Sequence, residues 1–89
     1  MEIVMNIEYE QAFGNNIRKI RKSRKLTQDQ LAAQLQIKGC DITRSAMAKI
    51  EVGQRHLYPD EIRILKELLN VSFDEMFYFS NDKYIAGKQ

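Results

Sequence analysis

The chain has 89 residues, 44% of them hydrophobic and 29% charged, and a formal net charge of +2. That length gives room for one compact core and none for a deep cleft with a second wall, and the composition is too apolar for a disordered chain. A lone Cys40 and a lone His56 make neither a disulfide nor a metal set, and no apolar run approaches the roughly 20 residues of a membrane span.

The N-terminus carries no basic signal region, so the expectation is a soluble, cytoplasmic domain with no cofactor and no small-molecule substrate. Residues 1–12 read as an N-terminal arm, with Tyr9 to Ala12 open between arm and helix. Phe13, Ile17 and Ile20 step by four and three residues, which predicts a first helix over 13–24 whose start Gly14 weakens. Thr27-Gln28-Asp29-Gln30 matches a capping box and opens a second helix striped by Leu31, Ala32 and Leu35. Residues 36–42, with Gly39 and Asp41, read as a loop. Thr43 caps a third helix reaching about Val52, with Met47 and Ile50 inward and Gly53 as its stop. Pro59, Asp60 and Glu61 open a fourth helix bearing Ile62, Leu65, Leu68 and Leu69, which ends near Asn70. Ser72-Phe73-Asp74-Glu75 is a second capping box and opens a short fifth helix with Met76 and Phe77. The expected fold is an all-α, compact five-helix bundle over 13–77, followed by a tail at 78–89.

Charge is unevenly distributed along this framework. From Ile17 to Arg55 there are ten basic residues and three acids, a surplus of seven, whereas the rest of the chain has four basic residues and nine acids. Such asymmetry suits a polyanion on one face, although a solvated helix face reads the same way from charge alone. A wheel of the third helix at about 100° per residue points Ser45 and Val52 away from the core, with Ala48, Lys49 and Arg44 flanking them. That outward face is small, polar and basic, and it has no carboxylate. Short side chains let a helix approach base edges closely, while Arg and Lys supply donors. Glu51, at the negative end of the same helix, needs a cationic partner.

Leu26-Thr27-Gln28, Leu31-Ala32, Leu35, Thr43, Met47-Ala48, Ile50-Glu51 and Gly53 together resemble the signature of Cro/repressor-type (XRE-family) helix-turn-helix domains. Ile17-Arg18 and Ile20-Arg21 match its lead-in, and Leu69, Val71 and Phe77 its closing helices, so the resemblance covers 13–77. It implies a lambda-repressor-like fold and a sequence-specific regulator, a repressor, that inserts helix 43–52 in the major groove of double-stranded DNA as a homodimer. By the same resemblance Thr43, Arg44, Ser45, Ala48 and Lys49 contact bases, while Gln28, Gln54, Arg55 and His56 contact phosphates. Arg21 and Glu51 stand at its structural ion pair. The implied setting is the cytoplasm, on the nucleoid.

The sequence departs from that pattern in the turn between helices two and three, which is about five residues longer than the usual three-residue link. The longer turn leaves the docking of the third helix open and adds Lys38 as a further phosphate contact. Val52 also replaces the polar residue that commonly precedes the glycine. Plainer roles stand beside these: Gln28 as a helix-opening residue, and Arg18, Lys19 and Lys22 as a solvated face. Cys40 next to Asp41 reads as inert. Core packing accounts for Phe73 and Phe77, whereas Tyr78 and Phe79 exceed what so short a helix can bury and suit a dimer contact. Nothing resembles a catalytic constellation. Two rival readings are an antitoxin-like regulator whose tail also holds a partner protein, and a helix-turn-helix module used only for protein–protein contact.

Overall fold

The computed structural model describes residues 7–78. In chain order they form α1 (Ile7–Ser23), α2 (Gln28–Ile37), α3 (Arg44–Glu51), α4 (Pro59–Leu69) and α5 (Phe73–Phe77), with no strand among the described residues. α3 packs against both α1 and α2, while α4 rests on α2 and α5 on α1. Ile17 of α1, Leu31 and Leu35 of α2, Met47 and Ile50 of α3, Leu65 and Leu69 of α4 and Met76 of α5 meet in one core. These are the residues whose helical spacing marked them as inward. The all-α bundle follows from burying five such stripes together.

The local signals act as their chemistry requires. Thr27 Oγ1 accepts from the Gln30 backbone N–H, and Gln30 Oε1 accepts from the Thr27 N–H in return. Ser72 and Glu75 repeat this exchange at α5, where the Ser72 N–H holds the Glu75 carboxyl below the usual carboxylate range. Thr43 caps α3 through Ala46. At α4 the Glu61 carboxylate reaches back to the Tyr58 N–H, behind Pro59 in the first turn. Asn70 ends that helix in the left-handed region.

Helix boundaries differ from expectation in two places. α1 begins at Ile7, so residues 7–12 of the expected arm are its opening turns, with Glu8 and Glu10 at the positive end of the helix dipole. Residues 1–6 and 79–89, the rest of the expected arm and most of the tail, lie outside the described residues. α2 runs on to Ile37, two residues into the expected loop. Gly39, at a φ of 82°, then reverses the chain, and the Cys40 N–H returns to the Leu35 carbonyl at 2.9 Å. This extra length is packed rather than looped out, because Cys40 and Ile42 are both buried in the core.

Gly14 has a role that propensity alone did not suggest. A Cβ built there would lie 2.2 Å from the Ile50 carbonyl oxygen and 2.7 Å from that of Glu51. The glycine lets α1 and the C-terminal end of α3 touch backbone to backbone. Phe73 and Phe77 also depart from expectation, being 48% and 40% exposed instead of core residues. Phe77 stacks on Phe13 with ring centres 4.9 Å apart, and Lys66 lies over the Phe73 ring at 5.2 Å.

Candidate nucleic-acid interface

The two ends of α3 are built differently. At its C-terminal end the Glu51 carboxylate is buried and bound on both oxygens. Arg21 Nε donates to Oε2 at 2.7 Å and Arg21 Nη2 to Oε1 at 3.1 Å. Gln28 Nε2 also donates to Oε1, at 2.9 Å, and Arg21 Nη1 donates to the Leu26 carbonyl at 2.7 Å. A two-pronged Arg–carboxylate pair with extra donors fixes orientation as well as charge. The network ties α1, the turn before α2, the first residue of α2 and the end of α3 together. It answers the unfavourable placement of Glu51 at its own helix terminus.

At the other end Thr43, Arg44 and Ser45 are exposed, and further along the same outward face Ala48 is half-buried and Lys49, in the last turn, is exposed. Met47 and Ile50 turn inward on the opposite side. The first turn of α2 lies beside that of α3, so Arg18, Thr27, Gln28, Asp29 and Arg44 line one polar cleft with Arg21 at its base. The N-termini of both helices therefore open on the same side of the molecule. Helix N-termini present unpaired N–H groups and partial positive charge, which attract anions.

The residues expected at phosphates fall into two groups. Lys38 and Gln54 are exposed. Gln28, Arg55 and His56 already hold carboxylates. Arg55 makes a two-pronged pair with Glu61 at 3.1 and 3.2 Å and donates to the His56 carbonyl at 2.9 Å. His56 Nδ1 is 3.1 Å from Glu10 Oε2. Burial raises the Glu61 carboxyl, but Arg55 and the Tyr58 N–H outweigh it and hold that carboxyl below its usual range. The Glu61 carboxylate likewise holds the Arg55 proton more tightly than usual.

Fewer cations are therefore free of protein partners than the sequence count suggests. Arg21 is buried, Arg55 is paired, and Arg24 caps α4 by donating to the Leu69 carbonyl at 2.7 Å and the Asn70 carbonyl at 3.1 Å. The Arg24 contacts span 45 residues of chain, and no local pattern could have revealed them. Cys40, buried by the long turn, has its thiol pKa raised by desolvation, with Glu61 and Asp60 adding to it. That environment opposes thiolate chemistry. Among the described residues no group of His, Cys, Asp and Glu could hold a metal ion, and no helix is long and apolar enough to cross a membrane.

Two helices joined by a turn, the second exposed along one face and wedged at its far end by a buried ion pair, define a helix-turn-helix. The helix-turn-helix family model matches residues 17–76, and the chain belongs to this family, of the XRE type. Its members form a class of DNA-binding transcription regulators, typically non-enzymatic. No curated protein and no solved structure matches the chain.

Proposed function

We propose that this protein is a sequence-specific repressor that lays α3 in the major groove of double-stranded DNA and works as a homodimer in the cytoplasm, on the nucleoid. The observation that carries this reading is the exposed face of Thr43, Arg44, Ser45 and Lys49, to which α3 itself contributes no carboxylate, beside the N-terminus of α2. Arg44 is the longest donor at the tip of α3 and can offer two N–H groups to guanine O6 and N7. Ser45 and Ala48 are short enough for close approach, and Lys49 extends the contact one turn along the helix. The backbone N–H groups at the α2 N-terminus, together with Lys38 and Gln54, meet phosphates flanking the groove, and Gln28 adds to them the side-chain N–H that it does not give to Glu51.

Arg55 and His56 belong to the same clamp only if they exchange Glu61 and Glu10 for phosphate. Neutralisation by Glu61 makes Arg55→Ala reduce the salt slope by less than the one unit of a free phosphate contact. Two protomers on two-fold-symmetric DNA place half-sites about 34 Å apart. Aromatic surface at α5 favours the pairing, because among the described residues Phe73 and Phe77 stay partly exposed and Tyr78 is 73% exposed. The same face would serve an antitoxin-like regulator holding a partner protein, and a stable co-purifying partner would favour that reading.

Selection of bound sites from a random duplex pool, followed by a salt titration, tests the proposal. The expected result is one enriched two-fold-symmetric motif. The log–log salt slope should be about −0.9 per phosphate neutralised. Enrichment of no motif, with binding insensitive to salt, would leave the fold as a protein–protein module.

A further inference from the structure

We propose that Asp29 is a positioning residue for Arg44, an inference that rests on Arg44 reading a base. Arg44 is the first residue of α3, where a cation faces the positive end of the helix dipole, and the first turn of α3 contains no acid. Asp29 provides the missing charge from the neighbouring helix. Its Oδ1 lies 3.8 Å from Arg44 Nε, and both side chains are largely exposed on the outward face. Asp29 itself sits in the first turn of α2, where the dipole favours a carboxylate.

Nε is the guanidinium nitrogen that the carboxylate approaches at 3.8 Å. A carboxylate nearest Nε leaves the end-on pair of terminal N–H donors free, and such a pair is what guanine O6 and N7 require. An unrestrained arginine loses rotamer freedom when it binds, so biasing its orientation beforehand strengthens the correct contact more than incorrect ones. The other acids between Ile17 and Arg55 do not offer this. Glu51 is committed to Arg21 and Gln28, and Asp41 lies in the turn with no ion pair to Arg44. Asp29 also repels phosphates, which lowers binding to every sequence alike. It thus favours selectivity at the expense of non-specific affinity.

The test measures binding of the wild type, Asp29→Asn, Asp29→Glu, Arg44→Ala and the Asp29→Asn/Arg44→Ala double variant. The probes are a duplex selected from a random pool and its single-base-pair variants. Ratios between duplexes for one protein cancel any change in its folded fraction. Asp29→Asn is expected to reduce the preference at the base pair read by Arg44 by about 1.4- to fivefold, the range to which the coupling of an exposed ion pair converts. It should leave other positions unaltered and tighten binding to unrelated duplexes. Asp29→Glu should retain most of the preference, and in the Arg44→Ala background Asp29→Asn should alter none of it. If Asp29→Asn tightens binding to all duplexes equally with every preference intact, Asp29 only repels the backbone and the inference is overturned while Arg44 remains the reader. Unchanged preferences in Arg44→Ala would remove Arg44 as the reader, and the positioning role with it.

Discussion

At the C-terminal end of α3 the Glu51 carboxylate is buried, hydrogen-bonded on both oxygens and backed by a glycine, whereas the N-terminal end is exposed and held at the surface by one cap and one long ion pair. The contrast shows how a short helix can protrude. Eight residues make too few internal bonds to be stable alone, so α3 must be anchored where it does not read. Arg21, Gln28 and Gly14 supply that anchorage, and the opposite end is left free to present Arg44 and Ser45. Substitutions at the two ends should therefore have different consequences, one in stability and the other in recognition.

The largest effect is expected from breaking the anchor. Glu51→Ala leaves Arg21 buried beside Gln28 without its counter-charge and should cost about 3–5 kcal/mol in denaturant unfolding. A loss under about 1 kcal/mol would mean that the pair behaves as a surface one. Gly14→Ala comes next, because its Cβ would press on the carbonyls of Ile50 and Glu51 and push α1 off α3. Overpacking at such a contact costs about 1–3 kcal/mol. An unchanged melting temperature would show that the two helices separate freely.

At the exposed end, Thr43→Ala removes the side-chain acceptor for the Ala46 N–H and should cost about 1 kcal/mol. Weaker DNA binding is expected as the α3 tip frays, with base preference altered only at the position that Thr43 itself contacts. The smallest effect is that of acid on the Arg55–Glu61 pair. The Glu61 carboxyl lies below its unfolded value in the folded chain, so its contribution to stability is fully present above the ordinary carboxylate range and fades as pH falls through the lowered one. Glu61→Gln should flatten the acid limb of the stability curve, and an identical limb in both proteins would assign the acid sensitivity elsewhere.

The anchored end was the more legible of the two in sequence. Glu51 at a helix C-terminus demands a cation, the family resemblance supplied Arg21, and the capping boxes at Thr27 and Ser72 announce themselves within four residues. Gly14 read as a weak helix start, because the crossing that needs it joins residues distant in the chain. The long turn read as a risk to docking. Its Cys40 and Ile42 instead fill the core, a role that depends on where Gly39 turns the chain. The basic surplus was legible only as a sum, since tertiary partners decide which cations remain free. Arg24 and Arg55 went to a helix end and a carboxylate.

The central claim is that the tips of α2 and α3 meet DNA while the anchor stays in place. Backbone amide shifts followed by NMR during titration with a selected duplex address it directly. The account predicts the largest changes at residues 27–30 and 43–49, with the Arg21 side-chain resonances still reporting the Glu51 pair. Changes confined to α4 and α5, with the α2 and α3 tips unmoved, would contradict it.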